Sequence, residues 1–223
     1  MAITKNGYRN DFLDAVRSII KEYMKEVYTC IPAHVQTFDP KTQLATIELG
    51  IERVDTDGSV WTPPPIIETP VLMIGDSFCV ETQLDAGCEG MAFFSQRCID
   101  AWVQTGGVAQ NPLRRFFDMQ DAFFVAGFRP LSRSLPKFEN NGIRLRNKAG
   151  NQFAWLKNDG SIEIGNGRGQ FLMKPDGTVL INGVTITTDG IATGTDFKSG
   201  SISLKSHVHG GVSSGSSSTG APK

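Results

Sequence analysis

The sequence is poor in the residues that most chemistry requires. It holds three histidines, His34, His207 and His209, so a histidine-based catalytic pair has almost no members to draw on. The four cysteines, Cys30, Cys79, Cys88 and Cys98, form no C-x-x-C pair. That argues against a zinc knuckle or a redox motif and makes free core thiols the expectation. No apolar run approaches the roughly 18 residues needed to span a bilayer. The opening MAITKNGYRNDF lacks the apolar stretch of a signal peptide. The chain is therefore expected to be made in the cytoplasm and not to be an integral membrane protein. A net charge of −1 supplies no basic field for nucleic acid.

What is present suits a folded protein, with 39% apolar and 20% charged residues. Composition breaks near residue 140. Residues 140–223 hold 15 of the 24 glycines and carry nine Lys/Arg against five Asp/Glu, while the remainder carries 13 against 18. Two modules with different packing logic follow from this.

In residues 9–27, Phe12, Leu13, Val16, Ile19, Ile20, Tyr23, Met24 and Val27 recur at steps of three and four, one apolar stripe on a helix. Asn10 or Asp11 is a candidate cap. The stripe fits packing on its own domain or docking on a neighbouring subunit. Residues 28–128 read as short strands with turn signals at Asp39-Pro40 and Asp57-Gly58 and a break at Pro63-Pro64-Pro65. About five short strands suit a small β-barrel such as an OB-fold. This module is acidic and has no interleaved basic and aromatic stripe, so it is expected to be an assembly platform with no nucleic-acid role. Residues 100–130 read as irregular and hold the densest aromatic cluster, Trp102, Phe116, Phe117, Phe123, Phe124 and Phe128. A loop closing over the barrel core is favoured there over a clamp on a neighbouring chain.

From residue 141 turn pairs recur at Asn141-Gly142, Asp159-Gly160, Asn166-Gly167, Asp176-Gly177, Asn182-Gly183 and Asp189-Gly190. Between them, brief strands alternate, with Ile143/Leu145, Phe153/Trp155, Ile162/Ile164, Val179/Ile181, Val184/Ile186 and Ile202/Leu204 as the buried row. Strands this short need stacking partners. A single-chain β-helix and three chains wound on a common axis both provide them. The uneven spacing, with Asp-Gly pairs 17 and then 13 residues apart, favours three chains. About eight strands at ~4.8 Å each give a needle of roughly 40 Å, enough to cross a hydrocarbon layer of about 30 Å.

The chain ends KSHVHGGVSSGSSSTGAPK. On a strand His207 and His209 share a side. Two imidazoles make a poor site, whereas three chains would bring six, a set that suits Fe, Ni or Cu better than four-coordinate zinc. Alone, H-x-H is a weak signal, and the Ser/Gly tail reads as a flexible linker.

The tip string H-V-H-G-G-V-x-x-G-x-x-x-T-G-x-P resembles the C-terminal tip of contractile-tail phage central spikes, the baseplate assembly protein V and Gp138-like group. The stretch GDSFCVETQLDAGCEGMAFFSQRCIDAW resembles the N-terminal OB-domain segment of the Gp138-like proteins, with Gly90, Phe94, Arg97, Ile99, Asp100 and Trp102 in place. FFDMQDAFFVAGFRP resembles the segment that follows, through Asp121-Ala122 and Gly127. The resemblance implies a homotrimer with an OB-fold and an intertwined triple-stranded β-helix; joined to the reading of the residues it gives an all-β chain with an N-terminal helix over residues 1–28, an OB-fold platform with closing loop over 29–139, the β-helix needle over 140–206 and a metal-binding tip over 207–223. It implies one iron ion per trimer held by His207 and His209. It implies a place at the baseplate tip of the virion tail and contacts with hub or tail-tube proteins through the N-terminal domain. The function implied is puncture of the host outer membrane without catalysis or a small-molecule substrate. A receptor-binding fibre or adhesin tip is the alternative, although such a fibre calls for a globular head. A metal-dependent enzyme ranks lower, because a cupin-type site needs a further Glu and His on the same chain.

Overall fold

The computed structural model describes residues 5–110, 113–211 and 215–216. Its contacts divide the chain into two units, Met1–Ser134 and Leu135–Lys223.

The first unit opens with helix α1, Lys5–Met24. It starts ahead of Asn10 and Asp11, so neither caps it. Two i,i+3 ion pairs, Asp14 with Arg17 and Glu22 with Lys25, line the polar side. The apolar stripe is uncovered: Phe12 is 68% exposed, Ile19 69% and Tyr23 64%. The reading in which this helix packs on its own domain is therefore not what a single chain forms. After the helix, the Tyr28 N–H donates to the Phe117 carbonyl at 2.9 Å and the Tyr28 ring meets Phe94 at 5.3 Å between centroids. These contacts fix the chain's entry into the sheet.

The main sheet has five antiparallel strands: β1 (Cys30–Asp39), β2 (Leu44–Leu49), β3 (Ile66–Pro70), β4 (Glu89–Phe94) and β5 (Ala122–Ala126). Their order is β3-β2-β1-β4-β5. The sheet curls until its two edges meet, where Val71 bridges Phe124 in parallel and the Leu72 N–H donates to the Phe124 carbonyl at 2.9 Å. Closing an edge in this way removes unpaired backbone groups. Alternate residues point inward, so Ala33, Val35, Ala45, Ile47, Leu49, Ala92, Phe94, Ala122 and Phe124 form the core. Gly90 is needed on β4, because a Cβ there would lie 2.4 Å from the Phe124 ring. Two short hairpins, Arg53–Val54 with Val60–Trp61 and Ile74–Gly75 with Cys79–Val80, are small sheets of their own.

Two sequence expectations change here. The aromatic stretch 100–130 contains helix α2 (Asp100–Thr105) and strand β5, and Phe124 is fully buried in the core. None of the four cysteines forms a disulfide, but Cys30 and Cys79 are exposed and only Cys98 is buried.

The second unit is a seven-stranded antiparallel meander: β6 (Ile143–Arg146), β7 (Phe153–Leu156), β8 (Ile162–Gly165), β9 (Gln170–Met173), β10 (Val179–Ile181), β11 (Val184–Ile186) and β12 (Ala192–Thr193). Each strand pairs with the next. A hairpin of β13 (Lys198–Ser199) and β14 (Ile202–Ser203) follows. Among the described residues the chain does not coil into a single-chain solenoid. Glycine takes a positive φ in all six turn pairs, from 80° at Gly167 to 90° at Gly183. In three of the tight loops the Asp side chain accepts a bond from Ser161, Thr178 or Thr187. Seven strands at ~4.8 Å spacing give a sheet about 29 Å across its ladder, shorter than the sequence estimate.

Register sorts the side chains cleanly. One face carries Ile143, Leu156, Ile162, Met173, Val179, Ile186 and Ala192 in one cross-strand column, and Leu145, Ala154, Ile164, Phe171, Ile181 and Val184 in the next. Every position on it is apolar. Much of it is open: Ile143 is 69% exposed, Leu145 64% and Leu156 55%. The pair Phe153/Trp155, expected in this row, lies on the opposite face beside Arg144 and Arg146, where Trp155 is buried as expected and Leu172 and Leu180 continue its cross-strand column. There the Arg144 guanidinium stacks over Phe153 and Trp155 at 4.3 and 4.5 Å. Lys157 sits 4.5 Å from the Trp155 ring and pairs with Glu163.

No helix of the described residues is long and apolar enough to cross a membrane.

Candidate metal-binding apex

The residues ahead of the histidines are held by a small polar network. Ser203, buried on β14, donates its hydroxyl to Asp196 at 2.9 Å, and the Lys205 N–H donates to the same carboxylate at 3.2 Å. The Ser206 N–H donates to the Ser203 hydroxyl at 3.1 Å. The Ser203 carbonyl then takes two bonds from His207, one from its backbone N–H at 2.9 Å and one from ring Nδ1 at 3.0 Å. A carbonyl only accepts, so Nδ1 carries a proton, and in the neutral ring Nε2 keeps its lone pair. This is the usual second contact of a ligating histidine: it fixes the tautomer and aims the free nitrogen.

His207 and His209 are both exposed, and their rings meet edge to face with centroids 5.0 Å apart. The segment is not a regular strand, yet the two rings are brought together as the H-x-H spacing suggests. No thiol or carboxylate joins them: among the described residues the one cluster with three metal-binding side chains is Cys98, Asp100 and Asp121. One chain thus offers two imidazoles, half or less of a transition-metal shell. The donor chemistry fits iron only if other chains complete it. Residues 212–214 and 217–223 of the tip string lie outside the described residues.

The Cys98–Asp100–Asp121 cluster already holds a cation of its own. Arg115 Nη2 donates to Asp100 at 2.7 Å, to Asp121 at 2.8 Å and to the Cys98 sulfur at 3.2 Å, and Nε donates to Asp121 at 3.0 Å. Bonding to Asp121, then Asp100, raises the Arg115 pKa and keeps the guanidinium charged. Fully buried Asp121 also accepts the Ile99 N–H at 3.0 Å, tying β5 to the start of α2. Arg115 thus ties these side chains into a structural clasp. Sequence reasoning noted Asp100 and Asp121 but missed their pairing through Arg115, and it missed Ser203 and Asp196 altogether. His34, the remaining histidine, lies on β1 with its Nε2 3.3 Å from the Glu48 carboxylate.

Residues 31–127, which span the curled sheet, match the family described as Phage protein Gp138 N-terminal domain. Residues 201–223, which contain the histidines, match the GpV Apex motif. No curated protein matches the chain. Both families describe structural phage proteins, which implies a place in the virion tail and association with other tail proteins. One match at the sheet and one at the apex together support a phage baseplate spike protein of the Gp138/GpV type.

Proposed function

We propose that the chain forms a homotrimeric spike at the tip of a phage baseplate and punctures the host outer membrane mechanically, without catalysis. The observation that carries this reading is the uniformly apolar, largely open face of the seven-stranded meander. A contiguous apolar surface of this kind marks an interface. Three copies facing a common axis bury it and turn the mixed, cation-stacked face outward as an intertwined β-helix. Short loops on positive-φ glycines leave little to snag during insertion. The sheet height is close to the ~30 Å of a bilayer's hydrocarbon core.

At the base, the strand order β3-β2-β1-β4-β5 with a parallel closure of β3 on β5 supports an OB-type barrel. It serves as the platform that meets hub or tail-tube proteins. At the apex, His207 and His209 of three chains supply six imidazole nitrogens to one iron ion. Bound there, the ion supplies a cross-link between three chain ends. Ser203 orients His207 for it, and no bond-making step is assigned to the site.

Light scattering and elemental analysis of the purified protein test the reading together. The expected result is a trimer containing one iron. A monomer overturns the spike, and a trimer free of transition metal overturns the apex.

A further inference from the structure

The stripe on α1 has the spacing of a heptad seam. Leu13, Val16, Ile20 and Tyr23 follow steps of three, four and three, which places them at alternating a and d positions. Ile19 and Met24 fall on the flanking g and e positions and widen the seam. The outer positions are Asp14, Ala15, Ser18, Lys21, Glu22 and Lys25, and the ion pairs of the helix involve this side. In the single chain the seam is uncovered, with Ile20 54% and Tyr23 64% exposed. Most of a helix's stability in a protein comes from packing its apolar face. Its stability needs a partner for the stripe.

We infer that the α1 helices of three copies of this chain pack as a short parallel bundle with Leu13, Val16, Ile20 and Tyr23 in its seam. The inference rests on the trimer proposed above. A second copy is the occupant because of three features. Branched Val16 and aromatic Tyr23 stand at the d positions where the parallel pair prefers Leu, and Leu13 at a followed by branched Val16 at d suits a higher-order bundle. Apolar Ile19 at g and Met24 at e widen the contact beyond what a two-helix seam covers, while Arg17 at the other e pairs with Asp14. Three identical helices tied to one threefold needle also meet at the high local concentration that tethering provides, so a seam too short to assemble alone is sufficient.

The experiment uses the full-length chain. Hydrogen–deuterium exchange of residues 12–24 is measured beside the mass from light scattering, on the native chain and on the double variant Val16→Asp, Ile20→Asp. The expected result is slow exchange in the native trimer and at least tenfold faster exchange in the variant, which remains a trimer through its needle. Oxidation of Ile20→Cys, in a background with exposed Cys30 and Cys79 changed to Ser, should link two chains covalently. Ser18→Cys on the outer side should not. A native trimer whose α1 exchanges freely overturns the bundle and leaves the trimer standing. Equal cross-linking at both positions, or slow exchange with no cross-link at either, also overturns it, since the helix is then packed elsewhere. A native monomer overturns the trimer reading itself.

Discussion

Replacing Arg115 by Met should be the most damaging single surface-accessible change in the first unit. Asp121 is fully buried and draws two of its bonds from Arg115, at 2.8 and 3.0 Å. Met fills much of the same volume but leaves the carboxylate with the Ile99 N–H alone. Breaking a buried pair in this way costs about 3–5 kcal/mol. Arg115 also reaches Asp100, which is half exposed, so water has some access and the lower end, ~3 kcal/mol, is expected. For a unit of this size, at ~4 °C per kcal/mol, the melting midpoint should fall by roughly 12 °C. Arg115→Lys should lie between, because it keeps the charge and loses the fork. Adding Asp121→Asn to the Met variant should recover stability, because no orphan charge remains. Trp102, whose ring meets Phe123 at 5.6 Å centroid to centroid, sits near the clasp and reports its unfolding by fluorescence. A loss under about 1 kcal/mol, or a double variant worse than the single, would refute the reasoning, since it would mean that Asp121 does not depend on this cation.

Four further outcomes are expected. Ile164→Asp puts a charge in the middle of the apolar face and should convert the trimer to monomer by light scattering while the circular dichroism of the first unit survives. Gly142→Ala should cost ~2–3 kcal/mol in urea unfolding, because φ is 83° and a Cβ would lie 2.0 Å from the Leu156 carbonyl oxygen, whereas Gly183→Ala, with φ 90° and open space, should cost only ~1 kcal/mol. The loop carboxylates Asp159 and Asp189, held by hydroxyls of Ser161 and Thr187, and Asp176, held chiefly by the Thr178 N–H, have pKa values below the ordinary 3.8. Their folded pKa is the lower one, so their contribution is complete above that ordinary value and is lost as pH falls through the depressed one. Unfolding midpoints should therefore be flat from neutral pH to about 5 and decline below about 4, with Asp159→Asn flattening part of that decline. The double change His207→Ala, His209→Ala should abolish bound metal by elemental analysis and loosen the last hairpin, leaving the barrel transition unmoved.

Much of this was legible because local chemistry decided it. Each Asn-Gly or Asp-Gly pair of the second unit placed a glycine at positive φ, and the alternation between pairs marked the strands. The face of β7 was not legible. Phe-Ala-Trp-Leu is apolar at all four positions, so periodicity alone does not say which pair faces inward; the Asn147–Asn151 loop sets the register, and a slip of one residue exchanges the faces. Bulk suggested Phe153 and Trp155 for the buried row, but stacking with Arg144 holds them on the other side. The Arg115 clasp joins residues 98, 100, 115 and 121, and nothing in a linear reading reveals that a guanidinium lies between two carboxylates. Cys30 and Cys79 were misread because strand position, and not residue type, decides exposure at sheet ends. The helix stripe was visible at once, and the structure narrowed its meaning by leaving it bare.

Three features of one chain are incomplete in the same sense. The meander offers an apolar face with nothing over it, the helix offers a seam with no second helix, and the apex offers two imidazoles where a metal wants more. Each has other solutions if taken singly: a partner protein for the sheet, a hub for the helix, water for the metal. Only another copy of the chain answers all three, because it brings the same face, the same seam and the same donors in equal number. Threefold symmetry adds a constraint that a heteromeric partner does not meet. It requires each element to be self-complementary around one axis, and a row of Ile, Leu and Val without a single charge is self-complementary in any rotation. The opposite face, with Arg144 stacked on its aromatics and Lys157 bound to Glu163, has no such freedom, because copies facing across an axis would bring the like charges of Arg144 and Arg146 together. In the proposed trimer, turning the apolar face inward is therefore the arrangement that leaves the least apolar surface in water.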